Sequence, residues 1–125
     1  MIMKNNIRIT VQVVPLPQHT NPSESKYVFA YTITINNEGE IGMQLLSRHW
    51  VIQDETGYIE EVTGRGVVGE QPHLLPGESF EYTSGSVIKT QTGTMKGEYN
   101  MINDAGEHFD VDIPEFVLSE PYTLQ

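Results

Sequence analysis

Apolar and polar residues alternate with a period of two along most of this chain. Ile7, Ile9, Val11 and Val13 are separated by Arg8, Thr10 and Gln12, and Phe29, Tyr31, Ile33 and Ile35 repeat the pattern. So do Met95, Gly97, Tyr99 and Met101, then Phe109, Val111 and Ile113. Successive side chains of a strand point to opposite faces, so such alternation describes strands with one face in a core and one in water. Turn signals punctuate the runs: Asn36-Asn37-Glu38-Gly39, Asp54-Glu55-Thr56-Gly57 and Asn103-Asp104-Ala105-Gly106. No stretch has the length and spacing of an amphipathic helix. The pattern therefore predicts an all-β protein, a sandwich of seven or eight short antiparallel strands. A length of 125 residues, with no internal repeat or linker, predicts one domain over 1–125.

In detail, strands are expected at residues 7–13, 27–36, 43–53 and 58–63. A long loop follows over 64–77, then a short strand around Phe80 and Tyr82 and a turn at Thr83-Ser84-Gly85-Ser86. Further strands are expected at 87–90, 94–103, 109–113 and 116–118, with Pro114 as an interruption. Along 43–53, simple alternation places Leu46, Arg48, Trp50 and Ile52 on one face and Leu45, Ser47, His49 and Val51 on the other. Trp50, large and on a middle strand, reads as a core residue before it reads as a ligand contact.

Charge narrows the function. Seventeen acids face seven Lys and Arg, for a net charge of −10. Residues 98–125 carry seven acids and no Lys or Arg, while residues 1–23 carry Lys4 and Arg8 and no acid. Nucleic-acid binding runs on neutralising phosphates with cations, so this balance argues against DNA, RNA or an anionic membrane as partner. Cysteine is absent, which removes disulfides, thiolate nucleophiles and Cys-based zinc sites. The first six residues contain no apolar h-region, and no apolar run nears the ~20 residues that span a bilayer. The expectation is a cytoplasmic protein without membrane insertion.

The sharpest motif is Gly64-Arg65-Gly66-Val67-Val68-Gly69, a G-x-G-x-x-G string. In dinucleotide folds such glycines open a helix whose N-terminus holds pyrophosphate. Here Pro72, Pro76 and Gly77 forbid that helix, and Glu70 sets a negative charge beside any phosphate. What survives is a loop of Gly64, Arg65, Gly66, Gly69 and Glu70 that binds an anion or a partner, through a nest of N–H groups assisted by Arg65. The alternative is that the glycines only supply positive φ angles in a long connection. His19, His49, His73 and His108 are dispersed, and His108, Asp110 and Asp112 read as an exposed strand face, so no metal site is expected. Gly-x-Ser-x-Gly is absent, and Ser84 and Ser86 have no His nearby in sequence. No catalytic residue and no cofactor is expected, and the chain does not read as an enzyme.

Several ordered segments together resemble the ApaG family. They are residues 27–33 (YVFAYTI), 44–52 (QLLSRHWVI), 62–72 (VTGRGVVGEQP), 75–85 (LPGESFEYTSG), 93–99 (GTMKGEY) and 109–118. The region before Tyr27 matches least. The resemblance implies a fibronectin type III or immunoglobulin-like sandwich. It implies a role linked to cobalt and magnesium resistance or efflux, as an accessory protein. It also implies partner binding, since related domains occur inside eukaryotic F-box proteins and a polymerase-interacting protein. The glycine string and Arg48-His49-Trp50 carry the family pattern and are expected to mark the site and an adjacent surface. The leading expectation is a non-catalytic module that binds another protein, with a homodimer as a further form. The alternative is a pyrophosphate or nucleotide binder at the glycine loop.

Overall fold

The alternating segments fold as strands. The computed structural model describes residues 5–119, so Met1 to Lys4, read above for an h-region, and the acidic Glu120 lie outside it. Eight strands follow in order: β1 (Ile7–Pro15), β2 (Tyr27–Asn37), β3 (Met43–Asp54), β4 (Ile59–Arg65), β5 (His73–Leu74), β6 (Ser79–Ile88), β7 (Thr92–Asn103) and β8 (His108–Ser119). A single turn of 3-10 helix, Pro22–Glu24, sits in the loop after β1. No helix among the described residues is long and apolar enough to cross a membrane.

The strands pair antiparallel in two sheets, β1-β2-β6 and β4-β3-β7-β8, with β5 added beside β3. This order fits the sandwich expected. β1 packs across from β8. On the opposite side, two clefts are lined by residues of both the β4 and β6 regions. Between the sheets lie Phe29, Ile33, Ile35, Met43, Leu45, Tyr99, Met101 and Leu118, all nearly free of solvent contact. Burying an aliphatic or aromatic side chain of this size contributes ~1.5–3 kcal/mol, so this layer fixes how the sheets stack. Buried asparagines pin the turns. Asn103 accepts from the amides of Ala105 and Glu107, both at 3.0 Å, and Asn37 accepts from Gly39 at 3.0 Å. Asp54 closes the β3–β4 turn by accepting from the Thr56 hydroxyl and amide. Those bonds, with one from the Tyr58 amide, hold its carboxyl below the usual carboxylate range.

Four expectations are corrected. Thr83-Ser84-Gly85-Ser86 is not a turn, and β6 is one unbroken strand. Its residues pair in continuous register with Thr32, Tyr31, Ala30 and Phe29 of β2, so ladder pairing overrides local turn preference. The connection after β4 starts later than expected, because Gly64 and Arg65 still pair with Arg48 and Ser47, and it is broken by β5. Finally, β3 does not alternate evenly. Leu45 opposes Met101 and Ser47 opposes Asn100, which leaves Leu46 as an extra residue. That bulge re-phases the strand, so Leu45 and Trp50 both point into the core although they are five apart. β8 runs on through Pro114, where its register with β7 slips.

Candidate functional site

The bulge in β3 is where the glycine string docks. The Leu46 carbonyl accepts from the Gly66 amide and from Gln71 Nε2, each at 2.8 Å. Leu45 donates its amide to the Pro72 carbonyl at 3.0 Å, and Gln44 Nε2 donates to the Gln71 carbonyl at 3.0 Å. The segment is thus strapped along the edge of β3. Its tip is a tight turn in which Val67 and Glu70 exchange amide-to-carbonyl bonds of 2.8 Å. Val68 and Gly69 at the turn have φ of 43° and 81°, the mirror-image geometry that favours Asn-Gly. A β-branched residue there is strained, and Val68 is half-exposed.

Each glycine then has its own reason. Gly66 has φ of 65°, and a Cβ there would run into the Glu70 carbonyl. Gly69 supplies a positive φ in open space. Gly64 has no unusual φ, but a Cβ on it would stand 2.7 Å from the Arg48 guanidinium. The amides of Gly66, Val67 and Glu70 are spent on the strap and its turn. Side chains, with the Val68 and Gly69 amides at the tip, are left to meet a ligand.

Arg48 is the central one. Rotated inward by the bulge, it donates from Nη1 to the carbonyls of Gly66 at 2.8 Å and Arg65 at 3.2 Å. It faces a cleft of about 280 Å³ lined by Tyr31, Arg65, Val68, Tyr82 and Ser84. Below lie buried phenols. The Tyr82 and Tyr99 hydroxyls hydrogen-bond each other. Burial pushes both far above the usual phenol range. Tyr31 is also raised by burial, offset by the Ser84 hydroxyl and by the Arg48 charge. Among the described residues no carboxylate pairs with Arg48 or Arg65. Arg65 Nη2 has only the Gln71 amide oxygen at 3.3 Å, whereas Arg8 pairs with Glu38 at 2.8 Å. Arg65 opposes Ser47 across the ladder and so carries its side chain to the His49 face, which leaves the Arg48 guanidinium, beside the Tyr31 and Ser84 hydroxyls, as the group that takes a carboxylate or phosphate.

Its neighbour in sequence points the other way. His49 stands on the outer face of the second sheet, with Nδ1 3.0 Å from Glu98 and Nε2 2.9 Å from Glu61. The bond to Glu98, then the bond to Glu61, raises its pKa above the ordinary value. Trp50 turns inward again and is 3% exposed, edge-on to Tyr31 and Phe116 at centroid distances of 5.4 and 5.9 Å. Arg48, His49 and Trp50 are therefore not one surface. The structure brings Arg48 together with Gly64, Gly66, Gly69 and the Arg65 carbonyl, while Glu70 sits exposed in the turn and the Arg65 side chain shares the other face with His49. Tyr31, Tyr82, Ser84 and Val68 complete the cleft and were not foreseen. Tyr at core positions where Phe would pack as well was the signal available. Among the described residues no group of three His, Asp or Glu side chains forms a cation cage.

The ApaG domain profile matches residues 17–103. The Protein ApaG of Dechloromonas aromatica is 54% identical over 122 residues, covering 96% of each chain. That of Nitrosomonas europaea is 54% identical over 121 residues, covering 97% of this chain and 95% of its own. The crystal structure of the "Putative ApaA Protein" from Bordetella pertussis superposes with a TM-score of 0.93 at 44% identity, covering 98% of this chain and all of that one.

Proposed function

Given that the chain belongs to the ApaG family, we propose that it acts as a non-catalytic binding module that seats an anionic group of a partner protein in the Arg48 cleft. The observation that carries this reading is Arg48 itself. In a chain with seventeen acids, its guanidinium is held by main-chain carbonyls at the mouth of a cleft and has no carboxylate of its own among the described residues. A cation kept without a counter-ion is an offer to an external anion. The absence of catalytic intent is supported by the groups at hand. The phenols are pushed away from neutral pH by burial, so they are poor proton carriers there. His49 is spent between two glutamates on the opposite face.

A second reading rests on the same guanidinium: a free phosphate compound, pyrophosphate or a nucleotide, in place of a protein carboxylate. A charged phosphate suits an arginine, while the amides of Gly66, Val67 and Glu70 are already engaged. The test is amide NMR on the labelled chain, titrated separately with pyrophosphate, ATP and a capped glutamate peptide. The expected result is movement of Gly64 to Gly69 and of Arg48 with the peptide, weakened at least tenfold in Arg48→Met. Movement with pyrophosphate alone would hand the site to the second reading. Shifts that ignore Arg48→Met would remove the cleft from either.

A further inference from the structure

Apart from the two-residue β5, four strands end a sheet among the described residues: β1 and β6 in one, β4 and β8 in the other. Unpaired edges invite another strand, and proteins usually block them with prolines, bulges or charges. β8 carries Pro114, a register slip and several acids. β1 ends in Pro15 and packs across from β8. β4 is short and bears Glu60 and Glu61. β6 has neither proline nor bulge. It is ten residues long, pairs with β2 without a slip from Ser79 to Ile88, and has Glu81 as its one charge. Among the described residues nothing pairs with its outer edge.

The flank of this edge is furnished. Near Tyr82 and Ser84 lie Arg48, Arg65 and the exposed Val68. Farther along, Val87 and Ile88 adjoin Tyr58 and Lys89, whose ammonium lies 5.6 Å from the Tyr58 ring centre. Val68, Tyr58 and Val87 are each more than half exposed. At ~3.3 Å per residue, an extended segment of about seven residues covers both ends.

We propose that β6 accepts an extended segment of a partner protein as an added strand, with one carboxylate of that segment seated on Arg48. The inference rests on the cleft reading above and specifies how the partner arrives. Charge selects the occupant. Arg48 favours a carboxylate beside Tyr82 and Ser84 of β6, whereas Lys89 at the other end already has Asp54 and Glu60 lining its cleft, and the net charge of −10 repels a second copy of the chain or a strongly acidic run. The segment is therefore apolar and hydroxyl-bearing in alternation with a single acid. Main-chain bonds to β6 give affinity, and the Arg48 cleft gives register.

The experiment adds a short capped peptide, Val and Thr in alternation around one Glu, to the labelled full chain. Amide shifts and amide hydrogen exchange are followed. Alternate β6 amides are expected to slow in exchange. Replacing the peptide Glu by Gln should weaken binding at least tenfold. Val68→Asn, which relieves the turn, should weaken binding severalfold without lowering Tm, so it tests the surface even if an Arg48 variant folds poorly. Protection at β1, β4 or β8 in place of β6, or equal affinity for the Gln peptide, overturns the proposal. Shifts at Arg48 with β6 exchange unchanged overturn strand addition and leave the cleft reading standing. A dimer in sedimentation with β6 already protected gives the edge to a second copy and likewise overturns it.

Discussion

Arg48 and His49 are adjacent in sequence, lie on one strand, and carry their polar groups to opposite faces of the same sheet. Their surroundings differ in kind. His49 is flanked by Glu61 and Glu98, so its charge is answered where it stands. Arg48 meets only the carbonyls of Gly66 and Arg65, which orient the guanidinium without cancelling it. The bulge at Leu46 is what makes the contrast, because it turns one of the pair under the glycine strap and leaves the other on an open face. A neutralised charge is a structural element; an oriented but unanswered one is a recognition element.

The largest effect comes from removing what supports the inner side. Trp50→Ala would leave a void beside Tyr31 and Phe116, which its ring now touches edge-on. Truncations of this kind cost ~3–5 kcal/mol, and thermal unfolding should show it. Both faces of β3 lose their common backing, so binding at Arg48 and the titration of His49 should deteriorate together. Unchanged Tm would mean that the core does not lean on this ring and that the contrast needs another cause.

A smaller change separates the two faces. In Gly64→Ala the new Cβ meets only the end of a flexible side chain, the Arg48 guanidinium at 2.7 Å. Because Ala suits a strand better than Gly does, stability should shift by less than ~1 kcal/mol. The guanidinium must move, however, and its bonds to the Gly66 and Arg65 carbonyls should break. Anion or peptide affinity should fall at least tenfold while His49 titrates as before. Retained affinity would show that the position of Arg48 does not matter.

These residues also mark where sequence reading stops. Alternation is a local property, so it located the strands and the core faces of β1, β2 and β7. It failed at Leu46, because a one-residue insertion is visible only against the partner strand, and every face assignment beyond it depends on that register. It failed again at Thr83–Ser86, where residues fit for a turn are recruited into a ladder by β2. The glycine string was legible as backbone geometry at Gly66 and Gly69. At Gly64 the reason is the side chain of Arg48 across the ladder, which no spacing along the chain encodes. Tyr82 and Tyr99 lie seventeen residues apart, and only the stacking of the sheets joins their hydroxyls.

The smallest expected effect tests the outer side alone. An imidazolium has two N–H donors and serves Glu61 and Glu98 together, whereas neutral imidazole has one and turns a lone pair toward the other carboxylate. The bonds to Glu98 and Glu61 raise the His49 pKa above ~6.5, its value in the unfolded chain. A raised basic group contributes stability that is complete below the unfolded value and is lost as pH climbs through the folded one. The imidazole is 31% exposed and Glu61 64% exposed, so solvent screens the pair strongly, and surface ion pairs are worth ~0.2–1 kcal/mol. Wild-type Tm should therefore fall by at most a few degrees relative to His49→Gln between pH 6 and pH 8.5. Peptide affinity at Arg48 should not differ between the two proteins. If His49→Gln weakened that binding as Gly64→Ala does, the two faces of β3 would be coupled, and the separation between an answered and an unanswered charge would no longer describe this sheet.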